Sequence, residues 1–251
     1  MSLHGLQDAQ VPLPFGPHGS QRFEIYFPGP NLEAYQCLLE LCATGRPLSL
    51  YLWGSPGTGK SHLLQAACQR LFETERQATY LLLSQIHEWS CSVLEGLECL
   101  DLVCLDEIDA LAGKQEWEIT LFHLYNRMRD RAQPLVMSGR ASLQSLAFKL
   151  PDLKSRLSWG PVFHLQRLND EAKLRALQQR AQAQGFELPA EVGQYLLKRY
   201  SRDMAALCRL LDNLDWASLV TQRRLTIPFV RALLGSQGQA RLSTLETNNK
   251  Q

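Results

Sequence analysis

Five short, almost unbroken apolar runs lie between residues 48 and 165 and predict five β-strands. Strands buried on both faces have continuous apolar sequences, which is typical of parallel sheets. Segments with apolar residues at helical spacing separate the runs, so the alternation predicts an α/β fold with a parallel five-stranded sheet. The predicted strands cover residues 48–53, 78–83, 102–107, 134–138 and 162–165.

Helical spacing predicts the segments that connect these strands. We expect helices over 32–43, 61–72, 84–96 and 115–131, with Asn31 as the cap of the first. The third would turn Ile86, Trp89, Val93 and Leu94 inward. A short segment over 150–157 precedes the last strand and carries two exposed cations, Lys154 and Arg156.

From residue 168 onward the pattern is helical only, which predicts a small all-helical domain. Its helices would cover 171–184, 189–200, 203–222 and 227–234, with Asn169 or Asp170 capping the first. The third would face inward with Met204, Leu207, Leu210, Leu211, Leu214 and Leu219. The predicted organisation is a flexible arm (1–20), an α/β base (21–165), a helical domain (166–235) and a disordered tail (236–251).

Composition narrows the class of protein without selecting a function. The chain has 251 residues, of which 45% are hydrophobic and 20% charged, and this suits one globular core with a smaller second domain. A formal net charge of +1 gives no support to strong non-specific nucleic-acid binding. Seven cysteines without a C-x-x-C pair favour a reducing compartment, and we see neither a secretory signal nor a membrane-spanning run. A cytoplasmic location is expected.

The first chemical landmark follows the first predicted strand and fits the pattern G-x-x-x-x-G-K-[ST] of a phosphate-binding P-loop. Its glycines allow backbone N–H groups to converge on a phosphate, and a helix N-terminus favours the negative charge. Lys60 adds a cation near the β- and γ-phosphates, and the Ser61 hydroxyl suits Mg²⁺. The candidate nucleotide-binding residues are Gly54, Ser55, Pro56, Gly57, Thr58, Gly59, Lys60, Ser61 and His62.

Two acids end the third predicted strand, Asp106 and Glu107. Ligands of α/β sheets bind at the carboxyl ends of the strands, where these acids lie. Asp106 would hold Mg²⁺, directly or through water, and Glu107 would polarise an attacking water. Asp109 is interpreted as a loop or helix-starting acid.

The N-terminal arm contains a segment of extended character, because Pro12 and Pro14 favour a polyproline-like backbone. Gln10, Leu13 and Phe15 would then be one polar and two apolar anchors for a partner. An ordinary floppy terminus is the alternative interpretation.

The P-loop, the acid-ended strand and the helical domain together resemble the AAA+ proteins, and more narrowly the DnaA/Hda family of bacterial replication proteins. The similar stretches are 51–54, 61–66, 121–127, 150–160 and 185–189, and the resemblance covers roughly 20–235. It implies a P-loop AAA+ core followed by a helical lid. The chain ends after the lid, where the initiators have a helix-turn-helix domain, and its glutamine-led arm resembles the clamp-binding motif of Hda. Both features favour the Hda branch.

The resemblance also implies roles for two arginines. Arg156 matches the family's arginine finger, which reaches into a neighbouring subunit's nucleotide site, and Arg202 matches the lid arginine that contacts the phosphates. One departure concerns the end of the fourth strand, where the initiators carry an acid and this chain has Ser138-Gly139-Arg140. We therefore expect weak hydrolysis at the chain's own site.

The function implied by the resemblance is negative regulation of replication initiation. The chain would bind ADP (or ATP) with Mg²⁺ and act with the DNA polymerase III sliding clamp loaded on DNA. It would stimulate hydrolysis of ATP on DnaA through Arg156, as a homodimer whose contact with DNA is indirect. An independent ATPase such as a helicase loader is the alternative, which Glu107 favours and the missing acid disfavours. A DNA-binding replication factor is the weakest alternative.

Overall fold

The structure is a computed structural model that describes residues 21–88, 90–200, 203–221 and 223–234, with the backbone alone for 86–88. The chain divides into two compact units. The first contains Glu33–Gly54 and Lys60–His164, with the described residues up to Phe23. The second contains Glu24–Leu32, Ser55–Gly59 and the described residues from Leu165 onward.

The first unit is built on a five-stranded sheet in the order β2-β3-β4-β1-β5, in which every pairing is parallel. The predicted sheet is therefore confirmed. Because β4 lies between β1 and β3, the residues that follow these three strands lie at one edge of the sheet. The strands are β1 (Ser49–Trp53), β2 (Ala78–Leu82), β3 (Leu102–Asp106), β4 (Leu135–Gly139) and β5 (Val162–His164).

Four α-helices accompany the sheet: α1 (Leu32–Thr44), α2 (Lys60–Phe72), α3 (Gln115–Asp130) and α4 (Pro151–Leu157). Apolar side chains at helical spacing on α3 pack with the sheet, because Leu121 and Leu124 are buried in one cluster with Leu105 and Met137. Burial of such side chains contributes about 1.5–3 kcal/mol each before the entropy of ordering is counted.

The predicted connecting helix over 84–96 is wrong. The chain instead forms three short 3₁₀-helices over Leu83–Glu88, Cys91–Leu94 and Leu97–Cys99. The Ser90 side chain accepts from the backbone N–H of Ser92, and Gly96 has a φ of 77°. Both features interrupt an α-helix. Leu94 is buried as expected, and Trp89 lies outside the described residues.

The second unit contains α5 (Asp170–Ala183), α6 (Ala190–Arg199), α7 (Met204–Thr221) and α8 (Ile227–Leu234), so the predicted helical region is confirmed. Asn169 caps α5, since its side chain accepts from Ala172 N at 2.8 Å. The inward orientation predicted for Leu219 is wrong, because that side chain is 70% exposed. The buried apolar cluster of this unit takes Leu207, Leu211 and Leu214 from α7, and Leu219 is not part of it.

Asn31 does not cap α1 with its side chain. Its amide instead exchanges two hydrogen bonds with the backbone of Gln166, at 3.0 and 2.7 Å. Asn31 lies in a 3₁₀-turn (Gly29–Asn31) that leads directly into the helix.

No helix in the described part of the chain is long and apolar enough to cross a membrane. All seven cysteines lie among the described residues and are free thiols.

Candidate functional site

The glycines of the P-loop adopt the conformations that the motif requires. Gly57 and Gly59 have φ values of 81° and 92°, a region that side-chain-bearing residues rarely adopt. A Cβ added to Gly59 would lie 2.7 Å from a ring carbon of Tyr26, so glycine is also required by packing. The Thr58 hydroxyl donates to Ser55 O at 3.0 Å and braces the turn within the second unit. This backbone fits a bound phosphate.

Lys60 begins α2 and turns its ammonium group back onto the loop. The Nζ atom donates to Gly54 O at 2.7 Å, and the residue is only 7% exposed. Burial lowers the pKa of Lys60, while the carboxylates of Asp106, Glu107 and Asp109 oppose that shift. A buried cation among acids is well placed for a negatively charged ligand.

Asp106 is fully buried, and both of its carboxylate oxygens accept hydrogen bonds. Tyr80 OH donates to Oδ2 at 2.7 Å, and the Ser138 hydroxyl and Glu107 N donate to Oδ1. The side chain of Ser61 also lies within hydrogen-bonding reach of Tyr80 OH. Burial raises the pKa of Tyr80 well above its ordinary value, and the charge of Asp106 raises it further. The structure thus brings the two predicted Mg²⁺ residues around one hydroxyl.

This arrangement fits a magnesium ion that is held mainly by phosphates and water. Among the described residues no three His, Cys, Asp or Glu side chains form a group that would hold a metal alone. Mg²⁺ keeps several waters and is usually bound through one or two carboxylates together with phosphates. Since both oxygens of Asp106 already accept hydrogen bonds, contact through water suits this site better than direct contact.

Glu107 leaves the strand abruptly, with a φ of 58° in the left-handed region. Its backbone N–H also donates to the Ser138 hydroxyl at 3.3 Å, which fixes this turn. Partial burial alone would raise the pKa of Glu107. Hydrogen bonds from Ser84 and Arg140 and the charges of Arg140 and Lys60 lower the pKa by more than burial raises it. The pKa of Glu107 therefore lies below its ordinary value. Glu107 is therefore a carboxylate at neutral pH.

Arg156 lies on α4, half-buried, and stacks over the ring of Trp159 at 4.3 Å from the ring centroid. The guanidinium of Arg129 contacts the same ring at 4.1 Å. Among the described residues Arg156 has neither a hydrogen-bonding partner for its guanidinium nor an ion pair. The described contacts therefore do not join Arg156 to the P-loop, Asp106 or Glu107.

Several predicted residues have other surroundings or no description. The His62 ring nitrogen Nε2 lies 3.0 Å from Arg22 O, so this side chain ties down the chain that precedes α1. Arg202 lies outside the described residues, as do the three arm residues Gln10, Leu13 and Phe15.

Three residues near the site have contacts that the sequence does not predict. Tyr80 lies on β2 and meets Asp106 only because β2 and β3 pair in parallel. Arg140 follows β4 and reaches Glu107 across the sheet edge. Within the second unit Arg167 donates from Nε to the Ser55 hydroxyl at 2.9 Å, which places a cation beside the P-loop. Each depends on a contact between distant parts of the chain, for which the sequence contains no local signal.

Comparison with known proteins agrees with this architecture. Residues 21–164 match the family model for the bacterial DnaA ATPase domain, and residues 170–234 match the model for the Hda lid domain. Domain III of the Thermotoga maritima replication initiation protein DnaA is similar, with 23% identity, a TM-score of 0.71 and coverage of 86% of this chain and 96% of that one.

Two further similar structures contain bound ligands. DnaA from Aquifex aeolicus, bound to AMPPCP, has 24% identity, a TM-score of 0.64 and coverage of 78% of this chain and 65% of that one. The replication initiator DnaA bound to AMPPCP and single-stranded DNA has 20% identity, a TM-score of 0.65 and coverage of 83% and 76%. At these identities the likeness shows a common fold.

Proposed function

The chain belongs to the DnaA/Hda family of AAA+ proteins, and on that premise we propose that it is a negative regulator of replication initiation. In this proposal it binds nucleotide at its own P-loop and stimulates the hydrolysis of ATP on DnaA. Arg156 supplies the stimulating group in trans, and the sliding clamp loaded on DNA brings the two proteins together.

The observation that carries the proposal is the situation of Arg156. A guanidinium is permanently charged and forked, and it suits the oxygens of a phosphate. Fully buried arginines are almost always paired, whereas the described partner of the half-buried Arg156 is an aromatic ring. Stacking on Trp159 restricts the side chain and leaves its N–H donors available. Such a cation is suited to charge that develops on a neighbouring subunit's γ-phosphate.

The chain's own site supports nucleotide binding. The P-loop backbone, Lys60 and Ser61 would hold the phosphates of ADP or ATP, with Asp106 holding Mg²⁺ through water. The ion would neutralise phosphate charge when bound. Two similar DnaA structures contain AMPPCP, which is consistent with an adenine nucleotide. A Lys60→Ala variant should lose the thermal stabilisation that ADP gives the wild-type protein.

The remaining partners rest on the resemblance. Gln10, Leu13 and Phe15 would bind the clamp, and Arg202 would contact the nucleotide phosphates. A homodimer that contacts DNA through the clamp, in the cytoplasm, completes the proposal.

The test is ATP turnover by DnaA with and without this protein, with the clamp loaded on DNA. Arg156→Ala should remove most of the stimulation, because fingers in other systems contribute about 10³–10⁵ in rate. Arg129→Ala is the matched control, since Arg129 contacts the same Trp159 ring but is not assigned to the phosphate. Both variants should keep their ADP-induced stabilisation. Normal stimulation by Arg156→Ala would reject the finger.

An independent ATPase, such as a helicase loader, is the alternative function. Its support is the complete pair of acids, Asp106 and Glu107, beside Lys60. Turnover by the chain alone separates the two functions: rapid hydrolysis without DnaA favours the independent ATPase, and weak hydrolysis favours the regulator.

A further inference from the structure

The backbone that carries Arg140 is fixed from three sides. Gly54 N donates to Gly139 O at 3.2 Å, and Arg140 N donates to Asp109 Oδ1 at 3.0 Å. The buried Tyr51 hydroxyl donates to Ala141 O at 2.7 Å. The segment after β4 is therefore tied to β1 and to the loop after β3, and its side chain emerges at one defined place.

From that place Arg140 reaches Glu107. Its Nη2 atom donates to Glu107 Oε1 at 3.1 Å, and Nε lies 3.9 Å from Asp109 Oδ2. The ammonium group of Lys60 and the buried carboxylate of Asp106 complete the charges around this pair. Ser84, after β2, gives Glu107 a second hydrogen bond. The carboxylate that would act on water is thus bound from two sides by the protein itself.

We propose that Arg140 is a positioning residue that holds the Glu107 carboxylate in an ion pair and thereby slows hydrolysis of the nucleotide on this chain. The inference deepens the proposed function and rests on it, because it requires nucleotide at this P-loop. To activate water, Glu107 must accept a hydrogen bond from it. An oxygen that already accepts from a guanidinium is a weaker acceptor, and the planar fork restrains the carboxylate away from the water.

The expected effect is moderate, because the pair is partly exposed. The side chain of Arg140 is 58% exposed and that of Glu107 is 24% exposed, so solvent weakens their attraction. A positioned general base contributes about 10²–10⁴ in rate. Removing Arg140 should free Glu107 and recover part of this rate factor, so we expect roughly a tenfold rise in kcat.

The experiment measures ATP turnover by the full chain alone, without DnaA or clamp. Arg140→Ala should raise kcat about tenfold with KM for ATP unchanged. Arg140→Asp, which places an acid where the initiators have one, should raise it as well. Arg140→Lys keeps the charge but lacks the planar fork, so it should retain only part of the suppression. Adding Glu107→Gln to Arg140→Ala should abolish the gain.

Each outcome decides the inference. A raised KM for ATP with an unchanged kcat would mean that Arg140 binds the nucleotide instead of Glu107, and the inference would be wrong. Equal turnover by wild type and Arg140→Ala, with ADP-induced stabilisation intact in both, would overturn this inference alone. A wild-type protein that ADP fails to stabilise would overturn the proposed function with it. A gain that persists in the double variant would also refute the role of Glu107.

Discussion

Glu118 offers the sharpest test of how the region before Arg156 is held in place. This carboxylate is fully buried on α3 and accepts three backbone hydrogen bonds, from Gly113 N at 2.7 Å, Lys149 N at 2.8 Å and Leu150 N at 2.9 Å. It therefore joins the turn before α3 to the two residues that precede α4. We predict that Glu118→Gln destabilises the first unit and loosens the start of α4.

The magnitude follows from those three contacts. Hydrogen bonds to a charged acceptor contribute about 1.5–3 kcal/mol each, but the cost of burying the charge offsets part of the sum. A glutamine keeps one oxygen and turns an NH₂ group toward an N–H donor, so one or two of the bonds are lost. We expect a loss of about 2–4 kcal/mol in the free energy of unfolding. For a chain of this size that lowers Tm by about 4–16 °C.

The assay is urea unfolding followed by far-UV circular dichroism, with hydrogen exchange to locate the change. Glu116→Gln is the matched control, because Glu116 is exposed on the same helix and accepts from the Cys91 thiol at 3.2 Å. It should change the free energy of unfolding by less than about 0.5 kcal/mol. Exchange over residues 149–157 should quicken in the Glu118 variant alone. Equal stability of the two variants would refute this account of the buried carboxylate.

Two further predictions concern the surfaces used in trans. Trp159→Leu should lower the stimulation of DnaA several-fold, because a cation–π contact at an exposed site contributes about 0.5–1 kcal/mol. Trp159→Phe keeps a ring and should retain most of the stimulation. Equal turnover of DnaA with both variants would contradict this prediction. We expect the unchanged arm to bind the clamp in the micromolar range, or about −8 kcal/mol. Replacing its three anchors, Gln10, Leu13 and Phe15, by alanine should abolish this binding and leave Tm nearly unchanged. The measurement is surface plasmon resonance. If clamp binding survives deletion of residues 1–20, the clamp-binding surface lies elsewhere on the chain.

Local patterns predicted the parts of the site that depend on neighbours in sequence. The P-loop was predicted because its glycines, Lys60 and Ser61 lie within one turn between a strand and a helix. Asp106 and Glu107 were predicted because a buried parallel strand must end where ligands bind. The predicted helix over 84–96 failed for a local reason. Apolar spacing over 84–96 is compatible with both α- and 3₁₀-helices, and the Ser90 cap and the left-handed Gly96 interrupt an α-helix there.

The pairing of Arg140 with Glu107 depended on strand order, which the sequence leaves open. The sequence shows arginine where the initiators have an acid after the fourth strand, but it does not show what the guanidinium contacts. Only when β4 lies beside β3 does the residue after one strand meet the residue after the other. Trp159 is a similar case, because an exposed tryptophan after a short helix gives no sign that two arginines will stack on it.

The two proposals give the two arginines opposite roles, one inside this chain and one on a neighbour. Arg140 forms ion pairs with Glu107 and Asp109 within this chain. Arg156 has an aromatic ring as its described partner, so its charge remains available to an anion from outside. A chain arranged in this way would keep its own nucleotide intact while it promotes hydrolysis on a neighbour. The combined variant Arg140→Ala, Arg156→Ala should therefore show both effects at once, with turnover on this chain raised and stimulation of DnaA lost.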